Sequence, residues 1–470
     1  MMGLTWDEIR AATGAKLYSG TLRGDTVFPR ITTDTRKISA GDLFVALHGA
    51  HFDGADFAAE ALHKGAAAVL LGTPLPVSVR AALKKESGAV LTAADGLKAY
   101  QDIAHAWRMK FDIPVVAITG SNGKTTTKDL TAAVLSGRGP VCRTAANCNN
   151  EVGLPLTLLR ITAGDTAAVV EIGMRGAGQI AALAPIAAPT IAIVTNVCEV
   201  HMELLGSIEN IARAKAELVE AMPAGAAVIL NADDPRVAAM RACAAEGVRV
   251  LTYGIRAEAD VRAEALRCSA DGSRFMVTWG NERHDYAVPL LGRHNISNAL
   301  AALAAGFVLG LTPQEMQEGL RRTDPADMRY QVEQVGTWTF INDAYNASPL
   351  SVFMALETTK ELYLTRRRIA VFGDMLELGD AAEKDHRSVG RLAVKLGFAP
   401  IVTYGSQAHW IHEAAKAAGC PVCYHAETHE AAADFIRSVL ADDDTVLFKG
   451  SRGMRMERII ALLKGEEAGR

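Results

Sequence analysis

The sequence predicts an α/β protein of three domains built on mostly parallel sheets, and three observations carry that prediction. The apolar run from Ile113 to Ile118 turns through Gly120-Ser121-Asn122-Gly123 into a helical pattern that reaches Leu135. Strand and helix patterns alternate from Ala167 to Tyr253 and again from Trp338 to Lys449, the rhythm of parallel strands with helices on both faces. The chain has 470 residues, more than the roughly 250–300 that one core fills. Boundaries fall near Ala94, ahead of the helical spacing of Leu97, Tyr100, Ala104, Trp107 and Phe111, and at Arg321-Arg322-Thr323-Asp324-Pro325, which breaks a helical pattern. The expected domains are 1–94, 95–322 and 323–470.

Composition narrows the function. Apolar residues make up 49% and charged residues 22%, as in an ordinary soluble globular protein. A net charge of −4 leaves no basic surplus for nucleic acid and no polybasic membrane anchor. Met1 to Arg10 carries Asp7 and Glu8 without an apolar core, so no signal peptide is expected. Apolar stretches such as Ala299 to Leu311 fall short of the ~20 residues that span a bilayer, and a cytoplasmic location is expected. Seven cysteines, odd in number and scattered, argue against a disulfide framework. The pair in Cys420-Pro421-Val422-Cys423, followed by His425 and His429, is packed too tightly for a zinc quartet and reads as a turn entering a strand with buried thiols.

Taken in order, the first domain reads as short strands at Leu43 to Leu47 and Ala66 to Leu71 around one helix, Phe57 to Lys64. Its loops, Thr33-Asp34-Thr35-Arg36-Lys37 and His48 to Gly54, are dense in donors and acceptors and suit a polar ligand; Asp34 and Arg36 read equally well as a surface ion pair. The stretch Gly120-Ser121-Asn122-Gly123-Lys124-Thr125 then places glycines between a strand and a helix N-terminus, where backbone N–H groups and the helix dipole hold a polyphosphate. Lys124 would reach the terminal phosphates and the Thr125 hydroxyl a bridging Mg²⁺. The motif is the short G-x-x-G-K-T, because the first glycine of the longer phosphate-loop pattern falls on Ile118.

Ligands of parallel sheets bind beyond the carboxyl ends of the strands, and those ends are polar here. One strand finishes in Glu171-Ile172-Gly173, another in Thr195-Asn196-Val197-Cys198-Glu199-Val200-His201. Glu171 is either a solvated carboxylate or a metal ligand. Ser207 caps a helix on which Ala212, Lys215, Val219 and Met222 share a side, so Lys215 either extends to solvent or has an unusual task. Arg274 to Thr278 alternates as a strand. Leu291-Gly292 feeds an alanine-rich helix with Asn295 and Asn298 on one face, suited to a base or ribose, although Asn295 also reads as its cap. In the last domain the strands Trp338–Ile341, Arg368–Phe372, Ala399–Thr403 and Val446–Lys449 bring Asp343-Ala344-Tyr345-Asn346, Gly373-Asp374-Met375 and Lys449-Gly450-Ser451-Arg452 to one edge.

These segments, with Asn149-Asn150-Glu151-Val152-Gly153-Leu154-Pro155 and His294-Asn295-Ile296-Ser297-Asn298, resemble the Mur ligases, ATP-dependent amide-forming enzymes of peptidoglycan precursor synthesis, over nearly the whole chain. The resemblance implies a UDP-sugar-binding N-terminal domain, a central phosphate-loop ATPase domain and a Rossmann-like C-terminal domain. Within the family, Asn149-Asn150 and Asp343-Ala344-Tyr345-Asn346-Ala347-Ser348-Pro349 point to the members that add D-alanyl-D-alanine to UDP-N-acetylmuramoyl-tripeptide. It implies further that Gly120, Ser121, Asn122, Gly123, Lys124, Thr125 and Thr126 hold ATP, with Asn295, Asn298 and Arg329 on the nucleotide, Asp343 on the ribose and Tyr345 near the base. Thr125 and Glu171 would bind one Mg²⁺ and His201 a second, beside Lys215 carbamylated by CO₂. Asp34, Thr35, Arg36, Asn149, Asn150, Ser451 and Arg452 would meet the other substrates. Lys124, His201, Lys215 and Lys449 would be the catalytic groups, acting through an acyl phosphate in a monomer. Another Mur ligase, or folylpolyglutamate synthase, which shares the loop and the route, stands as the alternative; a nucleotide-binding regulator without turnover is the alternative of another class.

Overall fold

The computed structural model describes residues 3–49, 52–199, 205–269, 271–324 and 327–465. His201, Ala50-His51 of the polar loop and Pro325 of the expected linker lie outside the described residues. The chain divides into two units: Met1–Ala117 with Gly139–Gly173 and Ile180–Ile191, and Ile118–Arg138 with Met174–Gln179 and Ala192–Arg470.

The first unit is built on a five-stranded sheet ordered Lys16–Ser19, Ala89–Ala93, Ala68–Gly72, Leu43–Val45, Ile31–Thr32, parallel except for its first pair. Side chains alternate across a strand, and this sheet separates two cores by parity. Leu43, Val45, Ala68, Leu70, Ala89 and Leu91 face one core with Trp6, Ile9, Tyr100, Ile103 and Trp107. Phe44, Val69, Leu71 and Val90 face the other with Ala58, Ala61, Leu62, Val79 and Leu83. Each buried aliphatic contributes about 1.5–3 kcal/mol of transfer free energy, so slipping one strand by one residue would exchange its two faces.

Three helices of this unit are not among those expected from the sequence: Trp6–Thr13, Val77–Leu83 and Gly153–Leu158. The first is started by a capping box: Thr5 Oγ1 accepts from the Glu8 N–H at 3.2 Å while Glu8 Oε2 accepts from the Thr5 N–H at 2.7 Å. Helix Gly96–Arg108, capped by Asp95, carries the Leu97-to-Trp107 spacing as expected. Its buried Arg108 donates to the carbonyls of Phe111 (2.6 Å), Ile113 (3.0 Å) and Ala187 (3.3 Å), which satisfies a guanidinium that burial would otherwise penalise. Strand Val141–Arg143 runs parallel to Ala167–Glu171, whose Ala168 N–H donates to Pro114 O at 2.9 Å.

In the second unit Ala227–Asn231, Arg249–Gly254 and Val261–Ser269 run parallel, and Gly272–Trp279 and Glu282–Val288 add an antiparallel ribbon. The helix Arg293–Val308 is buried from Ala299 through Gly306, where five alanines and a glycine beside Leu300 and Leu303 let it pack closely. Gly292 is its N-cap; Asn295 is not, and its side chain instead donates to Leu291 O at 2.8 Å. Helix Pro313–Arg321 ends where the linker was expected. Beyond it lies a six-stranded sheet ordered Gln331–Val335, Trp338–Asp343, Thr445–Lys449, Arg368–Gly373, Phe398–Tyr404, Cys423–Ala426, antiparallel only at its first pair. Parity again splits the core, with Ile341, Ala370, Phe372, Ile401 and Leu447 on one side and Phe340, Val371, Val402, Val446 and Phe448 on the other. All seven cysteines are free thiols. Cys420 and Cys423 are half-buried, not buried as expected, because their turn is at the surface. His425 meets Thr403 Oγ1 at 2.9 Å and His429 meets Met454 O at 2.8 Å. Among the described residues no helix is long and apolar enough to cross a membrane.

Candidate active site

The strand Val115–Thr119 ends in the phosphate loop, and the helix Lys124–Leu135 begins on Gly123. Two glycines are required here. Gly120 has φ +148° and a Cβ on it would collide with Thr195 Oγ1; Gly123 has φ +78° and its Cβ would stand 2.6 Å from Asn298 Oδ1. The result is a cradle of backbone at a helix N-terminus, whose first N–H groups lack intrahelical partners. Lys124 Nζ lies over this loop, donating to Gly120 O at 2.9 Å and Ser121 O at 3.1 Å. A triphosphate fits such a cradle, because phosphate oxygens can take over an ammonium now held by two carbonyls.

Around the loop the second unit gathers several of the expected residues. Asn298 Oδ1 accepts from Thr127 Oγ1, and Asn298 Nδ2 donates to Asn295 Oδ1, both at 3.2 Å. The Arg329 guanidinium stacks 4.2 Å from the Tyr345 ring and donates to Thr125 Oγ1 at 3.1 Å. Ser348 Oγ donates to Asn122 Oδ1 at 3.2 Å. Lys215, on the helix Ile208–Glu220 capped by Ser207, is 2% exposed. Burial, then the charge of Lys124, push its ammonium well below the usual lysine range. The Cys198 thiol receives the Asn122 amide at 3.0 Å.

The C-terminal sheet delivers the last group by register. Asp343 pairs with Lys449 and Lys449 with Phe372, so the three strand ends share an edge. Lys449 is 2% exposed; its Nζ holds Asp343 Oδ2 at 2.6 Å and Asn346 O at 3.1 Å. Ser451 is buried, its N–H donating to Asp374 O and its Oγ accepting from the Leu376 N–H, both at 2.9 Å. Arg452 turns away to Glu457 at 2.5 Å. His294 is pushed down to about 4 by burial and by Lys449, against the pull of Asp343.

In the first unit Glu171 is buried at the end of its strand and its Oε1 accepts from Asn149 Nδ2 at 2.8 Å. Asn150 Oδ1 accepts from the Gly153 N–H at 2.9 Å, just ahead of the helix Gly153–Leu158, whose N-cap is Val152. Asp34 and Arg36 form the bidentate ion pair read as one option, at 2.8 and 2.9 Å, and Thr35 opens the short turn after Asp34. That guanidinium holds the Asp34 carboxyl at about 2. Among the described residues no group of three or more His, Cys, Asp or Glu stands ready for a metal. Thr125 in the second unit and Glu171 in the first each carry a hard oxygen donor of the kind that Mg²⁺ takes. The sequence marks Ser348 only as part of the Asp343–Pro349 segment, with no role of its own, and Asn196 only as part of a strand end. The signal for Ser348 was the Ser-Pro pair that opens a helix.

A glycine cradle at a helix N-terminus, with Lys124 over it and Arg329 on Thr125, suits a nucleotide-dependent enzyme, and the chain belongs to the Mur ligase family. Family models match at residues 28–106 (Mur ligase family, catalytic domain), 118–306 (Mur ligase middle domain) and 328–452 (Mur ligase, glutamate ligase domain). Its architecture is accordingly the three-domain α/β one of that family, with N-terminal UDP-binding, central ATP-binding and C-terminal domains. The UDP-N-acetylmuramoyl-tripeptide–D-alanyl-D-alanine ligase of Bacillus subtilis (strain 168) is 35% identical over 452 residues, 95% of this chain and 96% of that one. The crystal structure of MurF from Acinetobacter baumannii superposes with a TM-score of 0.90 at 28% identity, covering 99% of this chain and 100% of that one. MurF from Thermotoga maritima in complex with ADP gives 0.82 at 26% identity, covering 93% and 97%.

Proposed function

We infer that this chain is an ATP-dependent ligase that joins D-alanyl-D-alanine to UDP-N-acetylmuramoyl-tripeptide, giving the pentapeptide precursor of peptidoglycan. Similarity to ligases of that name over 95% of the chain is the observation that carries it. The Mur ligases depend on ATP and Mg²⁺. The proposed route is an acyl phosphate: a carboxylate oxygen of the tripeptide attacks the γ-phosphorus and the bond to ADP breaks. The dipeptide amine then attacks the acyl carbon, the C–O bond to phosphate breaks, and the amine proton goes to solvent. Both steps gather negative charge on oxygen, which positive groups held in place stabilise.

In this reading the loop from Gly120 to Thr126 binds the triphosphate, with Lys124 on its terminal phosphates. Asn295, Asn298, Arg329, Asp343 and Tyr345 hold the nucleoside end. Mg²⁺ neutralises phosphate charge when bound, and Thr125, Glu171 and His201 are its proposed ligands. The Lys215 amine, its charged form disfavoured by burial, is suited to attack CO₂: its lone pair forms the N–C bond as one C=O π pair moves onto oxygen, the amine proton goes to water, and the resulting carbamate would offer an anionic oxygen donor. Lys449, Ser451 and Arg452 are assigned to the acyl-transfer end, and Asp34, Thr35, Arg36, Asn149 and Asn150 to the UDP-tripeptide. We assign the domains to 1–94, 95–322 and 323–470, and a monomeric, cytoplasmic enzyme. The test is ADP release that requires both the UDP-tripeptide and D-alanyl-D-alanine. Activity with a folate and glutamate in their place overturns the substrate assignment. Lys215→Ala is expected to lose most turnover at any bicarbonate concentration, and wild-type turnover removes the carbamate.

A further inference from the structure

Asn122 of the phosphate loop is anchored through both of its backbone polar groups. Parallel pairing continues past the strand Ile191–Val194 as Thr195 N–H donates to Thr119 O at 3.0 Å and Ser121 N–H to Asn196 O at 2.9 Å. At Asn122 the backbone leaves that ladder and a side chain takes over. Asn196 Oδ1 accepts from the Asn122 N–H at 2.8 Å, and Asn196 Nδ2 donates to Asn122 O at 3.0 Å. Thr195 Oγ1 donates to the same carbonyl at 2.7 Å. Thr195 is itself fixed, its carbonyl accepting from Asn231 Nδ2 at 2.8 Å.

A carboxamide is the side-chain group that offers a donor and an acceptor side by side in one plane. Gripping both the N–H and the C=O of one residue sets the orientation of the adjoining peptide planes, which a single bond would leave free to turn. Gly123 follows immediately, so without the grip the most permissive backbone of the loop would lie next to a residue whose N–H is no longer held by Asn196 and whose C=O keeps the Thr195 hydroxyl in place of two donors. We propose that Asn196 is a positioning residue for the nucleotide: it touches no phosphate, and its two bonds to Asn122 hold the loop in the shape that receives the triphosphate. The inference rests on the reading of this loop as the ATP site. Misplacement of a binding group by about an ångström is worth up to ~100-fold in rate, so the effect belongs on ATP and not on the UDP-substrate.

Asn196→Leu removes both bonds while keeping the branched skeleton of the side chain. Asn196→Asp keeps the acceptor but sets a carboxylate oxygen against the Asn122 carbonyl. Both are expected to raise the KM for ATP at least tenfold and weaken Mg-ADP binding in calorimetry, while the affinity for UDP-N-acetylmuramoyl-tripeptide stays within twofold. If the leucine variant does not fold, the isosteric aspartate carries the same measurements. A variant that melts at lower temperature yet keeps its KM for ATP and its Mg-ADP affinity within twofold overturns the proposal. Failure of the unaltered chain to bind Mg-ADP overturns the ATP-site reading instead.

Discussion

Lys449 illustrates what a single residue costs and contributes. An ammonium 2% exposed is tolerable because Asp343 Oδ2 stands 2.6 Å away and Asn346 O completes its shell. Removing the carboxylate leaves a buried positive charge beside a half-buried neutral histidine, His294. Asp343→Ala is therefore expected to destabilise the chain by about 3 kcal/mol, read as a lower urea midpoint at unchanged slope. The partner was legible in the sequence only as a neighbour on the same sheet edge. That the two would pair with each other depends on a register that strand patterns do not give.

Among the elements, helix Pro349–Leu362 has two duties. Ser348 caps it, accepting from the Ser351 N–H at 3.4 Å, and donates to Asn122 Oδ1 of the phosphate loop. Ser348→Ala is expected to cost about 1 kcal/mol through the cap and to lower ATP affinity; an unchanged urea midpoint would remove the cap from the account. Most elements were legible because apolar periodicity reports burial directly, as in Gly96–Arg108 and the four expected C-terminal strands. The helix Trp6–Thr13 was missed although Thr5 and Glu8 spell its capping box, since it shows only Trp6 and Ile9 to the core. Asn295 was misplaced as a cap because Gly292, with φ +91°, starts the helix three residues earlier.

For the molecule as a whole, acid is the informative stress. His294 has a folded pKa of about 4 against an ordinary 6.5, so the unfolded chain binds its proton more tightly. Its contribution to stability is complete above pH 6.5 and is lost as the pH falls toward 4, where the loss reaches on the order of 3 kcal/mol. Urea midpoints of the unaltered chain and of His294→Gln should accordingly converge between these values, and parallel pH profiles would clear His294 of the role. The three-domain plan and the phosphate loop were readable from residues alone, because alternating strands, helices and a glycine turn leave local marks. The bonds of Asn122 with Asn196, Cys198 and Ser348 were not, since they join positions 74, 76 and 226 residues apart.

The Cys198 thiol, half-buried and one hydrogen bond from the Asn122 amide, gives this chain a built-in gauge. Whatever stiffens or shifts the loop also changes how readily that sulfur meets an alkylating probe. Labelling speed at one cysteine thus becomes a clock for events at the triphosphate cradle, legible without following the ligation itself.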